Sequence, residues 1–148
     1  MASATELPFG TRLIGETEKA LNAILRRLLA GSGVGEPQWV TLNVAIAAGG
    51  ALDEGALAGR LAQVRKVTGE DARARLRELE EHGLLTVLAD GGPVVPTAAG
   101  LDFRRRVAAR VEELTARLWG DRPEAELAAA GALLNTVLAR ANKELAGP

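Results

Sequence analysis

Arg73 and Arg77 stand four residues apart, a spacing that sets two side chains on one side of a helix. Two guanidinium groups so placed suit bidentate donation to guanine edges or contact with phosphate oxygens. Arg65 and Lys66, slightly earlier in the chain, add cations of the kind that touch a nucleic-acid backbone. The competing reading is a solvated helix face on which Arg73, Arg75 and Arg77 pair with Glu70, Glu78 and Glu81.

Little else in the chain can do chemistry. Its 148 residues include no Cys and one His, His82. The lack of Cys excludes a disulfide framework, a zinc finger, an iron–sulfur site and a thiol nucleophile. One histidine excludes any two-His metal site. The two serines, Ser3 and Ser32, fall in aperiodic segments, and Glu80-Glu81, the only general acid/base candidates, read as solvated. No nucleophile–base pair emerges, so no enzyme, metal or cofactor is expected. A net charge of −1, from 18 basic and 19 acidic residues, argues against a uniformly basic nucleic-acid coat. Lysine is confined to Lys19, Lys66 and Lys143, and this arginine bias beside abundant Ala and Gly suits a GC-rich bacterial genome. The first residues lack the basic and apolar regions of a signal peptide. The longest apolar run, Trp39 to Ala48, is far short of the roughly 18 residues that span a bilayer. The chain reads as cytoplasmic, with no membrane partner.

The elements that must position the arginines are mostly helical. Pro8 suits a first helical turn, and Ile14, Thr17, Leu21, Ile24 and Leu28 follow at three- and four-residue steps until the glycines of 31–35. Pro37 opens a second helix with Trp39, Leu42 and Ile46 on one face, closed by Gly49-Gly50. Asp53 is an N-cap for a third, with Leu57, Leu61 and Val64 inward. Thr68 and Asp71 have capping-box spacing ahead of a fourth, about Gly69 to His82, with Ala72, Leu76 and Leu79 inward. On that helix Glu70, Arg73, Ala74, Arg77 and Glu81 then point outward, with Arg75 on a flank. The third and fourth helices are close enough for a helix-turn-helix. Leu84 to Leu88 is β-prone, Asp90-Gly91-Gly92 is hairpin chemistry, and Val94-Val95 is a return strand that Pro96 ends. Thr97 caps a long helix carrying Val107, Val111, Leu114 and Leu118. Gly120-Asp121 breaks it, and Pro123 opens a last helix with Leu127, Leu134, Val137, Leu138 and Leu145 inward.

Two close helices followed by a tight hairpin outline a winged helix-turn-helix, in which a helix enters a major groove about 12 Å wide. Here the sequence resembles the MarR-type winged-helix regulators of bacteria. The resemblance is carried by Leu61-Ala62-Gln63, by Leu79-Glu80-Glu81-His82-Gly83-Leu84-Leu85 at the helix-to-strand junction, and by Pro96-Thr97-Ala98-Ala99-Gly100 after the hairpin. These match the family's L-A-x, L-E-x-x-G-L-[LV] and L-T-x-x-G patterns in their order. The implied fold is mainly α: a winged helix-turn-helix with a short β-hairpin wing, flanked by N- and C-terminal dimerisation helices. It makes one winged-helix chain of residues 1–148, with a DNA-reading lobe at 38–100 and dimerisation helices at 6–30 and 101–146.

The resemblance implies a homodimeric regulator of transcription, repressor rather than activator, associated with the nucleoid when bound to a pseudo-palindromic operator in double-stranded DNA. It makes the fourth helix the recognition helix, with Arg65, Lys66, Thr68, Gly69, Glu70, Arg73, Ala74, Arg77 and the wing residues Gly91 and Gly92 at the DNA. It also implies a small lipophilic or phenolic effector, for which Trp39 and Asn43 are the candidate contacts; core packing is the competing role for Trp39. Arg104-Arg105-Arg106 with Arg110 is the most basic run, suited to phosphates or to pairing with Glu112 and Glu113. Two departures stand out. The family's wing tip usually carries arginines, whereas Asp90-Gly91-Gly92-Pro93 has none, and Ala74 stands where the family often has Arg. The segment from Asp53 to Gly83 holds six positive and seven negative side chains. The alternative is therefore a winged-helix dimerisation or interaction module with weak or no DNA binding.

Overall fold

A computed structural model describes residues 5–147. The elements run α1 (Thr11–Leu29), α2 (Glu36–Ala48), α3 (Glu54–Arg65), α4 (Gly69–Glu81), β1 (Leu85–Val87), β2 (Val94–Pro96), α5 (Ala98–Trp119) and α6 (Glu124–Leu145). The chain divides into two compact units, residues 1–111 and residues 112–148. The expected order of elements, six helices interrupted by one hairpin, is the observed one.

The first unit is built around a seam of apolar side chains from α2, α3, α4 and the hairpin. Leu42, Leu57, Leu61, Leu76, Leu79, Leu85 and Val94 are all sealed from solvent. Half-buried Trp39, Val44, Ile46, Leu52, Val87 and Phe103 pack around them. On α4 the inner face is Ala72, Leu76 and Leu79, as the helical period predicts. Local chemistry fixes where each helix begins. Asp53 accepts from the Ala56 N–H at 2.8 Å, and Thr68 from the Asp71 N–H at 3.0 Å. Gln38 reaches back to accept from the Gly35 N–H at 3.0 Å. Gly83, at φ 75°, turns the chain out of α4 into the hairpin.

The hairpin pairs Leu85 with Pro96, Thr86 with Val95 and Val87 with Val94, antiparallel. It does not stand alone. The Val94 N–H donates to Leu52 O at 3.1 Å, the Glu54 N–H donates to Gly92 O at 3.0 Å, and Asp53 bridges Pro93. The short connection ahead of α3 thus supplies a third line of main chain along the wing, a contact with no sequence signal beyond one leucine. Thr97 joins the far end of the wing to α4. Its hydroxyl donates to Gly83 O at 2.6 Å and accepts from the Gly100 N–H at 3.0 Å.

Several inward positions and one helix start differ from expectation. Pro8 lies ahead of α1, which begins at Thr11 because Gly10 is fully extended and cannot continue a helical turn. Val64 is 57% exposed; the buried positions of α3 are Glu54, Leu57, Ala58 and Leu61, and the long Arg65 side chain occupies the inward place at the helix end. The second half of the capping box on α4 gives way to side-chain pairing, since the Asp71 carboxylate turns to Arg65 and Arg75. The largest difference is in α6, which buries no side chain. Leu127, Leu134, Val137, Leu138 and Leu145 are all exposed. The unit of residues 112–148 contains only the end of α5 and α6, too little chain to enclose an apolar stripe.

The packing makes opposite predictions for two glycines. A Cβ on Gly100 would lie 2.1 Å from Leu84 O, main chain that cannot yield, whereas one on Gly59 meets nothing within 4 Å. Gly100→Ala is expected to cost at least about 2 kcal/mol of unfolding free energy. Gly59→Ala, on an exposed helical position, is expected to gain roughly 0.5–1 kcal/mol. Urea denaturation of the two variants checks both signs.

Candidate nucleic-acid interface

The helix-turn-helix is formed by α3 and α4. Lys66, in the left-handed region at φ 56°, ends α3, and Thr68 starts α4 two residues later. Lys66 is exposed and its Nζ donates to Gln63 O at 2.7 Å. Gly69 and Glu70, in the first turn of α4, are exposed, while Ala74 is half-buried. Arg73 and Arg77 share the same side of α4, as their spacing requires.

Their surroundings are not those of a simple solvated face. Arg77 Nη2 lies 3.1 Å from Oε1 of Glu54, whose side chain is 5% exposed against 60% for Arg77. The Arg73 guanidinium lies beside Gly55, with Nη2 3.5 Å from where a Cβ would sit. Both arginines therefore lean across the first turn of α3, the same turn whose backbone holds the wing through Gly92. The structure brings Arg73, Arg77 and Gly92 together around Glu54, while Gly91 lies exposed at the wing tip. Arg65 and Lys66 are at the other end of α3, roughly 15 Å away along a 12-residue helix.

Arg65 has a structural task. Its side chain is 13% exposed and its Nη1 meets the Asp71 carboxylate at 3.2 Å. Arg75 pairs with Glu78 at 3.3 Å and with Asp71 at 3.7 Å, and its buried Nε has no hydrogen-bond partner among the described residues. Gln38 in turn donates to Glu78, and Glu80 accepts from the Val87 N–H at 2.8 Å. Of the pairings expected on the solvated-face reading, Arg75 with Glu78 forms. Arg77 goes to Glu54 instead, and among the described residues Arg73, Glu70 and Glu81 form no ion pair.

These contacts change the meaning of the charge count. Five of the seven acids between Asp53 and Gly83 are engaged within the chain: Asp53 caps, Glu54 is buried, Asp71 and Glu78 hold arginines, and Glu80 holds the wing strand. Among the described residues Arg60 and Arg73 are exposed and form no ion pair, and Arg77 presents most of its surface. The outward face is more positive than six against seven. Nothing in the sequence marked Glu54 or Gln38; an acid after an N-cap signals only a favourable helix dipole, and its burial comes from contacts between segments distant in sequence.

Trp39 is half-buried and meets Phe103 edge-on, with ring centroids 6.2 Å apart and planes at 76°. Asn43 donates to Trp39 O at 2.8 Å and accepts from Arg104 Nε at 3.2 Å. The basic run on α5 does not pair with Glu112 and Glu113. Arg106 and Arg105 take Asp102, at 3.0 and 3.9 Å, one turn earlier on the same helix, and Arg110 donates to Leu28 O.

The described residues contain no group of acids and histidines that could hold a metal ion. No described helix is long and apolar enough to cross a membrane.

Two short helices packed at a tight turn, with a hairpin tied beside them, define a winged helix-turn-helix. No protein-family model and no curated protein matches the sequence, but solved structures do. A MarR protein from Peptoclostridium difficile superposes with a TM-score of 0.77 at 15% identity, covering 95% of this chain and 96% of that one. MepR of S. aureus, solved as a DNA complex, gives 0.75 at 19% identity over 89% and 96%. PcaV of Streptomyces coelicolor, a transcriptional regulator solved with its natural ligand, gives 0.71 at 21% over 95% and 99%. The chain has the MarR-type winged-helix fold, and the resemblance carried by its short motifs is borne out over nearly its whole length.

The arginines separate into structural and outward classes, with different consequences for stability. Arg65→Ala is expected to cost about 1 kcal/mol, mainly through lost packing of its stem. Arg73→Ala is expected to fall within about 0.5 kcal/mol of the parent chain. Thermal unfolding of the two variants side by side measures the difference.

Proposed function

We propose that this chain is a sequence-specific regulator of transcription that binds a pseudo-palindromic operator in double-stranded DNA as a homodimer, acting as a repressor and without catalysis. The observation that carries the reading is the pairing of Arg73 and Arg77 on the open side of α4 with a wing fixed beside them, in a fold shared with a protein solved on DNA. Arg73 and Arg77 are assigned to base edges or phosphates, and Lys66, Thr68, Gly69 and Glu70 to the backbone near the helix start. Arg65 supports that edge from beneath through Asp71, and Ala74 contributes apolar contact. Gly91 and Gly92 bring main chain rather than charge to the flanking backbone. The protein acts in the cytoplasm, on the nucleoid.

The homodimer reading is supported by the exposed apolar side of α6. Leu127, Leu134, Val137, Leu138 and Leu145 recur at helical spacing and are exposed, an apolar surface of the kind that marks a site where another molecule docks. A second copy is the assigned occupant, because a two-fold pair of recognition helices matches half-sites one helical turn apart. A small lipophilic or phenolic effector is assigned to the surroundings of Trp39 and Asn43, on the analogy of relatives such as the ligand-bound PcaV. The neutral wing tip favours a second reading, a winged-helix dimerisation module without useful DNA affinity.

Two measurements test the assignment. In a gel shift with DNA from upstream of its own gene, the chain is expected to bind, with affinity falling steeply as salt rises. Arg73→Ala with Arg77→Ala is expected to abolish the specific band; unaltered binding would remove both residues from the interface, and no binding by the parent chain would leave the module. In sedimentation, the chain is expected at twice its 15.4 kDa mass, and Leu134→Glu with Leu138→Glu at the single mass.

A further inference from the structure

We propose that Glu54 is a positioning residue for DNA recognition, its buried carboxylate holding the Arg77 guanidinium in the geometry in which it meets a base. The inference rests on the regulator reading above and adds to it a residue that makes no DNA contact of its own.

The asymmetry of the pair carries the argument. The Glu54 side chain is 5% exposed, whereas that of Arg77 is 60% exposed. An arginine leaving this contact finds water at once. The carboxylate it leaves is buried and loses the one guanidinium that hydrogen-bonds it among the described residues, a costly state for a buried ion. The contact therefore stays closed when Arg77 engages DNA. A guanidinium carries five N–H donors, and the contact at 3.1 Å is made through Nη2 alone. The remaining donors stay available for the two parallel hydrogen bonds that a guanine edge accepts. A long side chain that is already ordered in the free protein loses less rotamer freedom on binding.

Glu54 also sets a second part of the interface. Its main-chain N–H donates to Gly92 O at 3.0 Å, and the neighbouring Asp53 bridges Pro93. One residue thus ties the recognition helix by its side chain and the wing by its backbone. This explains how a wing with no basic residue can still be placed: its position relative to Arg77 is fixed by the same turn of α3.

The test is a double-mutant cycle on the full chain, Glu54→Ala and Arg77→Ala singly and together. Fluorescence polarisation is measured on a selected operator and on a random duplex, with circular dichroism to verify folding. Glu54→Ala is expected to hold the random duplex as well as the parent, or slightly better, because one negative charge is gone. It is expected to lose about tenfold in the operator-to-random ratio, within what one base contact supplies. In the Arg77→Ala background the same substitution is expected to change the ratio no further, and Glu54→Gln, which keeps an accepting oxygen, to retain most of it. Equal loss on both duplexes, or a loss of ratio that is the same without Arg77, would overturn the proposal and leave Glu54 a structural residue. A parent chain that does not distinguish the two duplexes removes the regulator reading itself, before any variant is compared.

Discussion

The helix-turn-helix depends on one apolar seam, in which Leu57 and Leu61 of α3 and Leu76 and Leu79 of α4 are sealed from solvent. Two short helices of 12 and 13 residues have little stability of their own. Burying these leucines, with Leu42 from α2 and Leu85 and Val94 from the hairpin, converts them into a rigid pair. Every outward feature follows from that seam, because it fixes the rotation of α4 about its axis. With Ala72, Leu76 and Leu79 committed inward, Arg73 and Arg77 have no choice of side.

Charge is distributed around the seam by a different rule. Arginine near the turn serves two ends: Arg65 and Arg75 are drawn down into contacts with Asp71 and Glu78, while Arg73 and Arg77 lie across the opposite edge of α4. Long side chains allow this, since their stems cover apolar surface and only their heads need polar company. The result is a region in which most acids are engaged in caps and ion pairs, while Arg60, Arg73 and Arg77 stay exposed. A net charge of −1 for the whole chain therefore says little about the potential that a duplex would meet.

Much of the fold was legible because it is written in local patterns. The period of Ala72, Leu76 and Leu79, the caps at Asp53 and Thr68, and Gly91-Gly92 between β-prone runs each act over a few residues, and each appears where expected. Contacts between segments distant in sequence were not legible. Leu52 and Asp53 lining the wing, Glu54 buried beneath it, and Gln38 reaching Glu78 depend on how elements meet, which no spacing encodes. The arginine pair was visible, but helical spacing offers it only Glu70, Glu78 and Glu81, whereas Arg77 meets Glu54, 23 residues away. The stripe on α6 was visible too, yet a helical period reports only that a face is apolar. Whether the chain itself or another molecule covers it is decided by how much chain is at hand.

The same division between local pattern and long-range contact accounts for a fold shared at 15–21% identity with a TM-score of 0.71–0.77. Cores accept extensive exchange of apolar side chains when volume and pattern are kept. The leucine seam, the caps and the tight hairpin can therefore persist while most residue identities change. Surface charge is under no such constraint from packing, so the wing tip can be neutral and position 74 can be Ala with no disturbance of the architecture. What a protein of this shape binds is then a property of its few outward side chains and of whatever holds them in place. In this chain Arg73 and Arg77 are the cations on the open side of α4, and the wing and α4 are joined through a single turn at the start of α3.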